Sequence, residues 1–344
     1  MIDIIIPIYN VGNLLYRCID SLLNQIDKTG YKIYLIDDGS SDISADICNE
    51  YASKYNNIFV FHKKNGGGVE ARWYGIKHSS SEYIVFIDAD DFVEKDYIIN
   101  LKKAITHVAD YYILNNKRNY IIKNGYYIEK DFLLNGYITV EQTYEWMLNS
   151  KINAVWDKIY VRDVIEKNNI NFKVNIMHGD DLYINMLYLK NVNKVYCQDT
   201  SSYVHIMDSP TSVCNNDTSI KRLYDIKKLY DNIITLIPKN LCNINVNALK
   251  KSLLMAYFVA VGLISRKKEN FYKLDRFFLD ENLDKISINL TMSFKEKIFF
   301  YLLINKKYRL MGMIQKIYNI KLYKYLLDKR YEKREKLIKK RRNK

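Results

Sequence analysis

Three acidic residues lie within four positions of one another at the end of a short apolar run. The run Tyr83–Ile87 is rich in β-branched and aromatic residues, is too short for a helix, and is typical of a strand buried on both faces. Asp88, Asp90 and Asp91 follow it directly. Carboxylate oxygens are ligands that Mg²⁺ and Mn²⁺ prefer, often together with phosphate oxygens. The spacing therefore predicts a divalent-cation site, and the simpler alternative is a solvated turn of acids.

A second group of polar residues follows another apolar run, Tyr31–Ile36. The simpler interpretation of Asp37-Asp38-Gly39-Ser40 is a turn whose side chains bind their own backbone. The functional alternative is that one carboxylate accepts a hydrogen bond from a nucleobase or a ribose. Gly66-Gly67-Gly68 lacks the spacing of a dinucleotide site or a P-loop, so these glycines indicate a flexible turn. Arg72, just beyond them, could donate two hydrogen bonds to a pyrophosphate or a base.

Further candidate residues lie in the second half of the chain. Asp180 and Asp181 begin a predicted helix, where acids either stabilise the helix dipole or provide a general base for a substrate hydroxyl. His205 is a candidate metal ligand, with a structural histidine as the simpler interpretation. Trp156 and Lys158 are candidates for the region that binds donor and acceptor, or ordinary core and surface residues.

The elements that must position these residues alternate between strand and helix. The sequence predicts four strands over short apolar runs, namely Ile2–Ile6, Tyr31–Ile36, Ile58–Phe61 and Glu82–Asp88, with helices between them. This order predicts an α/β fold with a doubly wound, mostly parallel sheet and right-handed crossovers. Ligands of such sheets bind beyond the carboxyl ends of the strands. We therefore expect Pro7–Asn10, Asp37-Asp38 and Asp88–Asp91 to meet at one edge.

The net charge of +14 is confined to the end of the chain. Residues 290–344 contain eighteen Lys and Arg against four Asp and Glu, so residues 1–289 are neutral overall. Apolar residues alternate with these cations at helical spacing, which predicts an amphipathic helix on an anionic membrane surface, or else an ordinary solvated helix. The charge of this tail alone would also fit a nucleic-acid-binding protein. We expect no nucleic-acid partner, because the front of the chain has no basic surface of its own.

The remaining whole-chain features predict a cytoplasmic protein, peripheral on the inner face of the plasma membrane. The five cysteines are far apart and in no metal-binding spacing, as in proteins with reduced thiols. Met1 leads directly into a predicted strand, so we expect no signal peptide. The longest uncharged stretch, Ser252–Ser265, is shorter than the roughly 20 residues that span a bilayer.

Together these motifs resemble those of the family 2 glycosyltransferases, inverting enzymes of the GT-A fold. The resemblance covers about residues 1–205. It rests on I-I-I-P-I-Y-N (4–10), D-D-G-S-S-D (37–42), N-G-G-G-V-E-A-R (65–72) and E-Y-I-V-F-I-D-A-D-D (82–91), in the family's order. W-D-K-I-Y (156–160) and G-D-D (179–181) look like segments of the acceptor half in bacterial members. The asparagine usual after A-R is replaced by Trp73, and the usual Glu-Asp pair is Asp180-Asp181.

The resemblance implies a role for each candidate residue. Asp38 would bind the uracil, and Tyr9 would pack on it. Asp90 would ligate Mn²⁺ or Mg²⁺, Asp88 would contact ribose or the metal, and Asp91 would support them. Asp181 would be the base, with Asp180 as the alternative. The residues implied in binding the nucleotide sugar are Pro7, Tyr9, Asp38, Arg72, Asp88 and Ala89.

The function implied is transfer of a hexose from a nucleotide-diphosphate sugar to a hydroxyl of a saccharide acceptor, with a UDP sugar as the expected donor. A lipid-linked acceptor and a place in capsule or cell-surface polysaccharide synthesis would suit a membrane-bound tail. The implied domains are a GT-A domain over residues 1–218, divided into a nucleotide-binding part (1–91) and an acceptor-binding part (92–218), then a helical extension (219–292) and a basic amphipathic tail (293–344). A sugar-phosphate nucleotidyltransferase is the alternative enzyme, although residues 4–10 lack its usual phosphate loop.

Overall fold

The computed structural model describes most of the chain and divides it into two compact units. The described residues are 1–114, 118–122, 125–129, 135–148, 152–172, 179–200, 202–206, 219–239, 242–265, 270–280 and 294–314. One unit comprises Met1–Val213 with Asp231–Asn245, and the other comprises Cys214–Tyr230 with Val246–Lys344. The predicted division of the chain after residue 218 stays a prediction. Most of the predicted basic tail, residues 315–344, lies outside the described residues.

The first unit is built on an eight-stranded sheet with a smaller four-stranded sheet beside it. The strands are β1 (Ile2–Ile8), β2 (Tyr31–Asp37), β3 (Ile58–His62), β4 (Tyr83–Phe86), β5 (Phe92–Val93), β6 (Tyr111–Ile113), β7 (Arg118–Ile122), β8 (Gly125–Glu129), β9 (Gly136–Ile138), β10 (Lys158–Val161), β11 (Val195–Cys197) and β12 (Tyr203–Ile206). The large sheet has the order β3-β2-β1-β4-β10-β6-β11-β9, and the small one β5-β12-β7-β8.

The four N-terminal strands of the large sheet are parallel, as the sequence predicts. β10 is inserted antiparallel between β4 and β6, and β9 is antiparallel at one edge. The side chains of β1 and β4 are buried almost throughout, which explains why their sequences are continuously apolar. The prediction of a doubly wound, mostly parallel α/β sheet is therefore confirmed.

Helices connect the strands and form most of the second unit. They are α1 (Leu14–Leu23), α2 (Ser44–Lys54), α3 (Gly68–His78), α4 (Tyr97–Ala104), α5 (Val140–Leu148), α6 (Arg162–Lys167), α7 (Asp180–Leu189), α8 (Lys221–Leu236), α9 (Cys242–Ile264), α10 (Phe271–Asp280) and α11 (Phe294–Ile304). In the second unit, Phe258 of α9 stacks on Phe299 of α11, with ring centroids 3.6 Å apart. None of the described helices combines the length and the apolar character needed to cross a membrane.

Close packing of α3 on the large sheet depends on one glycine. A Cβ atom at Gly75 would lie 2.4 Å from Cγ2 of Ile5 in β1 and 3.2 Å from Cγ1 of Ile36 in β2. Only a residue without a side chain allows the helix to approach the strands this closely. Arg72, about one turn earlier on α3, is thereby brought to the carboxyl edge of the sheet.

Candidate active site

Arg72 joins acidic residues that are far apart in the sequence. Its side chain is buried, and its Nη2 donates to Oδ1 of Asp88 at 2.8 Å. Its Nη1 lies 3.4 Å from Oδ2 of Asp180 and 3.8 Å from Oδ1 of Asp181. The end of β4 and the start of α7 therefore meet around one guanidinium group. The sequence singled out each of these residues, but it could not show that Arg72 links them.

The electrostatics of this cluster differ between its two helical acids. The pKa of Asp181 is raised to about 8: burial is the main cause, the charge of Arg72 opposes it, and the charges of Asp180 and Asp88 add to it. Burial also raises the pKa of Asp180, while Arg72 and backbone hydrogen bonds lower it. Asp181 is therefore suited to take up a proton near neutral pH, as a general base must.

Asp91 anchors the turn that carries the other acids. Its carboxylate is fully buried and accepts hydrogen bonds from the Tyr203 hydroxyl at 2.7 Å, Nδ1 of His205 at 3.0 Å and the Ile206 amide at 2.7 Å. These three donors belong to β12 in the small sheet. Asp91 thus holds the small sheet to the end of β4, in line with the supporting role implied by the resemblance.

Other contacts fix the backbone on either side of the Asp88–Asp91 turn. Arg17 of α1 donates to the Asp90 carbonyl at 2.6 Å, and the Tyr203 hydroxyl accepts from the Asp88 amide at 3.1 Å. Ala89 is buried in the hydrophobic core, so its side chain packs into the protein. The turn is thus held from helix α1 and from the small sheet.

The acids of this turn fit a cation that is shared with a substrate. Within the described part of the chain, no three His, Cys, Asp or Glu side chains are grouped to hold a metal by themselves. Mg²⁺ and similar ions are commonly held by one or two carboxylates plus substrate phosphates, which is the donor set that Asp88 and Asp90 would supply. His205 faces Asp91 through Nδ1, so a metal role for it would have to use Nε2. Burial by itself would lower the pKa of His205, but the hydrogen bond and the charge of Asp91 outweigh it, so the pKa of His205 is raised.

Two turns form the other side of the site, at the ends of β1 and β2. Hydrogen bonds interlock them: the Asn10 amide donates to Ser40 Oγ at 3.1 Å, and the Val11 and Gly12 amides donate to Ser44 Oγ at 3.1 and 3.0 Å. Pro7 lies one residue before the end of β1, beside Ile36, and the side chain of Tyr9 is left 53% exposed. An exposed aromatic ring at this edge is suited to stacking on a base.

Asp38 has partners that the sequence did not predict. Its carboxylate accepts from the Lys63 ammonium, the Gly66 amide at 2.9 Å and the Gly67 amide at 2.7 Å. The glycine run therefore has a definite contact instead of serving only as a flexible turn. Asp37, next to it, accepts from the Ser40 amide at 2.9 Å and pairs with His62 at 2.8 Å. Lys63 and His62 carried no motif that would have identified them.

The side chains of Trp156 and Lys158 are both buried. Trp156 is buried and stacks on Tyr203 with ring centroids 4.4 Å apart, so it supports the residue that holds Asp91. Lys158 is fully buried, forms an ion pair with Asp157 and donates to the Ala154 carbonyl at 3.0 Å. These contacts favour a structural role for Lys158 over direct contact with a substrate, because its ammonium group is already neutralised in the interior.

Comparison with known proteins agrees with this geometry. Residues 3–173 match the family described as Glycosyl transferase family 2. Glycosyltransferase GlyA of Streptococcus pneumoniae is 31% identical over 206 residues, which are 57% of this chain but only 29% of that protein. The cholesterol galactosyltransferase of Borreliella burgdorferi is 29% identical over 270 residues, or 75% of this chain and 73% of that protein.

A solved structure gives the fold. The structure of S. aureus TarS 1–349 in complex with UDP-GlcNAc has a TM-score of 0.67 and 17% identity, and it covers 92% of this chain and 91% of that chain. The architecture is thus the GT-A fold that the sequence motifs imply, with a helical C-terminal region. With motifs in the family's order and acids gathered at the edge of a GT-A sheet, residues 3–173 of the chain form a glycosyltransferase family 2 domain.

Proposed function

We propose that the protein transfers a hexose from a UDP sugar to a hydroxyl of a saccharide acceptor, with inversion at the anomeric carbon. The observation that carries this proposal is the contact of Arg72 with Asp88 on one side and with Asp180 and Asp181 on the other. It supports placing a departing diphosphate and a proton acceptor within one small site. The fold shared with TarS, whose structure contains UDP-GlcNAc, supports the choice of donor.

Each residue of the cluster has a distinct part in this reaction. Asp181 accepts the proton of the acceptor hydroxyl as that oxygen attacks, a function worth about 10²–10⁴-fold in rate. Arg72 holds the carboxylates in place and contributes positive charge near the leaving group. When bound by Asp90 and Asp88, Mn²⁺ or Mg²⁺ would supply further positive charge to the diphosphate. Tyr9 stacks on the base.

The proposal is tested by incubating the protein with a panel of nucleotide sugars and measuring release of nucleoside diphosphate, with and without Mn²⁺. We expect release of UDP from a UDP-hexose, stimulated by the metal. Asp181→Asn should lower turnover about 100-fold or more at saturating donor. Asp163→Asn is the matched control, because Asp163 is an exposed acid on α6 that pairs with Lys167.

Three outcomes would contradict the proposal. Near-normal turnover of the Asp181→Asn variant would exclude Asp181 as the base. Release of a sugar 1-phosphate and a nucleoside triphosphate when pyrophosphate is added would indicate a nucleotidyltransferase instead, since that enzyme lets pyrophosphate attack the nucleotide phosphate and break the bond between the two phosphates of the donor. An anomeric product of retained configuration, observed by NMR, would exclude inversion.

We also propose that the second unit docks on an anionic membrane, where a lipid-linked acceptor would be reached. The cholesterol galactosyltransferase among the relatives acts, by its name, on a lipid. Leu302 and Leu303 are buried, and Phe299 packs on Phe258, so these three side chains would not face the bilayer. The large apolar side chains exposed on residues 294–314, here called the apolar face, are Ile298, Tyr301, Ile304, Leu310 and Met313.

A further inference from the structure

The carboxylate of Asp38 is enclosed by the segment 63–67. Its side chain is only 3% exposed. Oδ1 accepts from the Lys63 ammonium and the Gly66 amide, and Oδ2 accepts from the Gly67 amide at 2.7 Å. A carboxylate offers about four acceptor positions, so three donors leave little capacity and almost no access for another partner. A base cannot reach Asp38 while this segment remains in place.

The segment is held against the Asp38 turn by its backbone. A Cβ atom at Gly39, which has φ +77°, would lie 3.0 Å from the Asn65 nitrogen and 3.1 Å from the Lys63 carbonyl oxygen. Gly67 has φ 91° and ψ 164°, a conformation almost restricted to glycine. The two glycines allow a tight closed arrangement, and the run of three glycines makes other backbone conformations accessible at low cost.

Lys63 has a second acidic neighbour within reach. Its ammonium lies 3.8 Å from Oε1 of Glu70 on α3, whose side chain is 43% exposed. If the contact with Asp38 is broken, the ammonium can keep an anionic partner by moving toward Glu70. The segment therefore has two electrostatically satisfied arrangements, one with Lys63 on Asp38 and one with Lys63 on Glu70.

We propose that Asp38 is a shared acceptor: Lys63 and the Gly66 and Gly67 amides occupy it in the free protein, and a base with an N–H group between two carbonyls replaces them on binding. This inference rests on the proposed use of a UDP sugar. Uracil has that pattern, and its N–H would take the place of the amide donors. The two amides would then face solvent. Nucleotide binding would therefore expose these amides, whereas a bound ligand usually protects the segment that it contacts.

The test is amide hydrogen exchange on the full chain, with and without saturating UDP and Mn²⁺. UDP should speed exchange at Gly66 and Gly67 by about tenfold or more, because amides released from a carboxylate open to solvent. The Ser80 and Ser81 amides are a built-in control. They also donate to one carboxylate, that of Asp3, at 2.8 and 2.6 Å, and their exchange should not change.

A pair of variants isolates the part of Lys63. Lys63→Met removes the ammonium from Asp38, so exchange at Gly66 and Gly67 should already be faster without nucleotide. Lys64→Met removes the same charge from the next residue, whose side chain is exposed, and should leave this exchange unchanged. Thermal unfolding of both variants would show whether each is folded.

The outcomes separate this inference from the proposed function. If calorimetry shows that UDP binds and exchange at Gly66 and Gly67 is unchanged or slower, the shared-acceptor proposal is wrong and the use of UDP stands. If UDP does not bind at all but another nucleoside diphosphate does, the choice of UDP is wrong. The proposal that uracil replaces the donors of Asp38 is then wrong as well. Faster exchange in Lys64→Met equal to that in Lys63→Met would exclude Lys63 as the specific contact.

Discussion

At the scale of single residues, the acids of the site divide into three that face Arg72 and one that is turned into the protein. The motif residues Asp88, Asp180 and Asp181 do meet at Arg72. Asp91, in contrast, is directed into the protein by partners on β12 that come more than one hundred residues later. Such pairings depend on long-range strand order, so no local pattern could have revealed them.

The raised pKa of Asp181 leads to a pH-dependence of the rate. The base must be ionised, so turnover should increase as pH rises through about 8, the pKa to which burial raises this carboxyl. Arg72→Met should move this rise to higher pH, because the Arg72 charge is what lowers the pKa of Asp181. The measurement is the pH profile of nucleoside diphosphate release at saturating donor.

The control for this profile is another cation of the same helix. Lys77 of α3 lies over the Trp73 ring at 5.4 Å, and its replacement by Met should leave the position of the rise unchanged. A rise at the same pH in the Arg72→Met variant would mean that another group limits the rate.

At the scale of elements, the alternation of strands and helices was predictable, and the order of strands beyond β4 was not. Continuous apolar runs mark β1, β2 and β4 because these strands are buried on both faces. β10 pairs antiparallel with β4, although many residues separate them. Helix α1 ends at Leu23, and Ile26, an apolar residue that continues the helical spacing, is 68% exposed. Apolar spacing alone therefore places the end of this helix too late.

The contact between α3 and the sheet predicts a sensitive glycine. Gly75→Ala should lower the free energy of unfolding by about 1–3 kcal/mol, because the new methyl group would overlap Cγ2 of Ile5. It should also weaken donor binding, since Arg72 lies about one turn away on α3. Chemical denaturation and the donor KM measure the two effects.

A double-mutant cycle checks the physical reason. Ile5→Ala removes the overlapping methyl group, so the two substitutions together should cost less than the sum of their separate effects. If the two losses of unfolding free energy simply add, Gly75 is needed for a reason other than its close approach to Ile5.

At the scale of the whole molecule, the charge of the chain is concentrated in its last part. Within residues 294–314 the apolar face lies among cations, with Lys297, Lys306, Lys307 and Arg309 exposed. Exposed apolar side chains next to cations suit an anionic lipid surface, where each cation contributes about 1 kcal/mol near the headgroups. The proposed peripheral membrane association follows from this combination.

Substitution of the apolar face tests that association. Tyr301→Asp with Ile304→Asp should reduce sedimentation with anionic liposomes about tenfold or more, since it removes apolar contact and adds negative charge. Tyr272→Asp is the matched control, because Tyr272 is 67% exposed on a different helix, α10. Equal loss in both variants would mean that general charge, and not the apolar face, determines binding.

The hydrogen bonds of Asp91 also bear on how such a protein can be recombined. The donor-side turn and β12 share one buried carboxylate, with Tyr203 and His205 as its partners. A chimera that takes residues 1–91 from one homologue and the following part from another must keep this trio matched, or the buried carboxylate loses its two side-chain donors. Exchanges of acceptor preference should therefore succeed most often when Asp91, Tyr203 and His205 are inherited from the same parent.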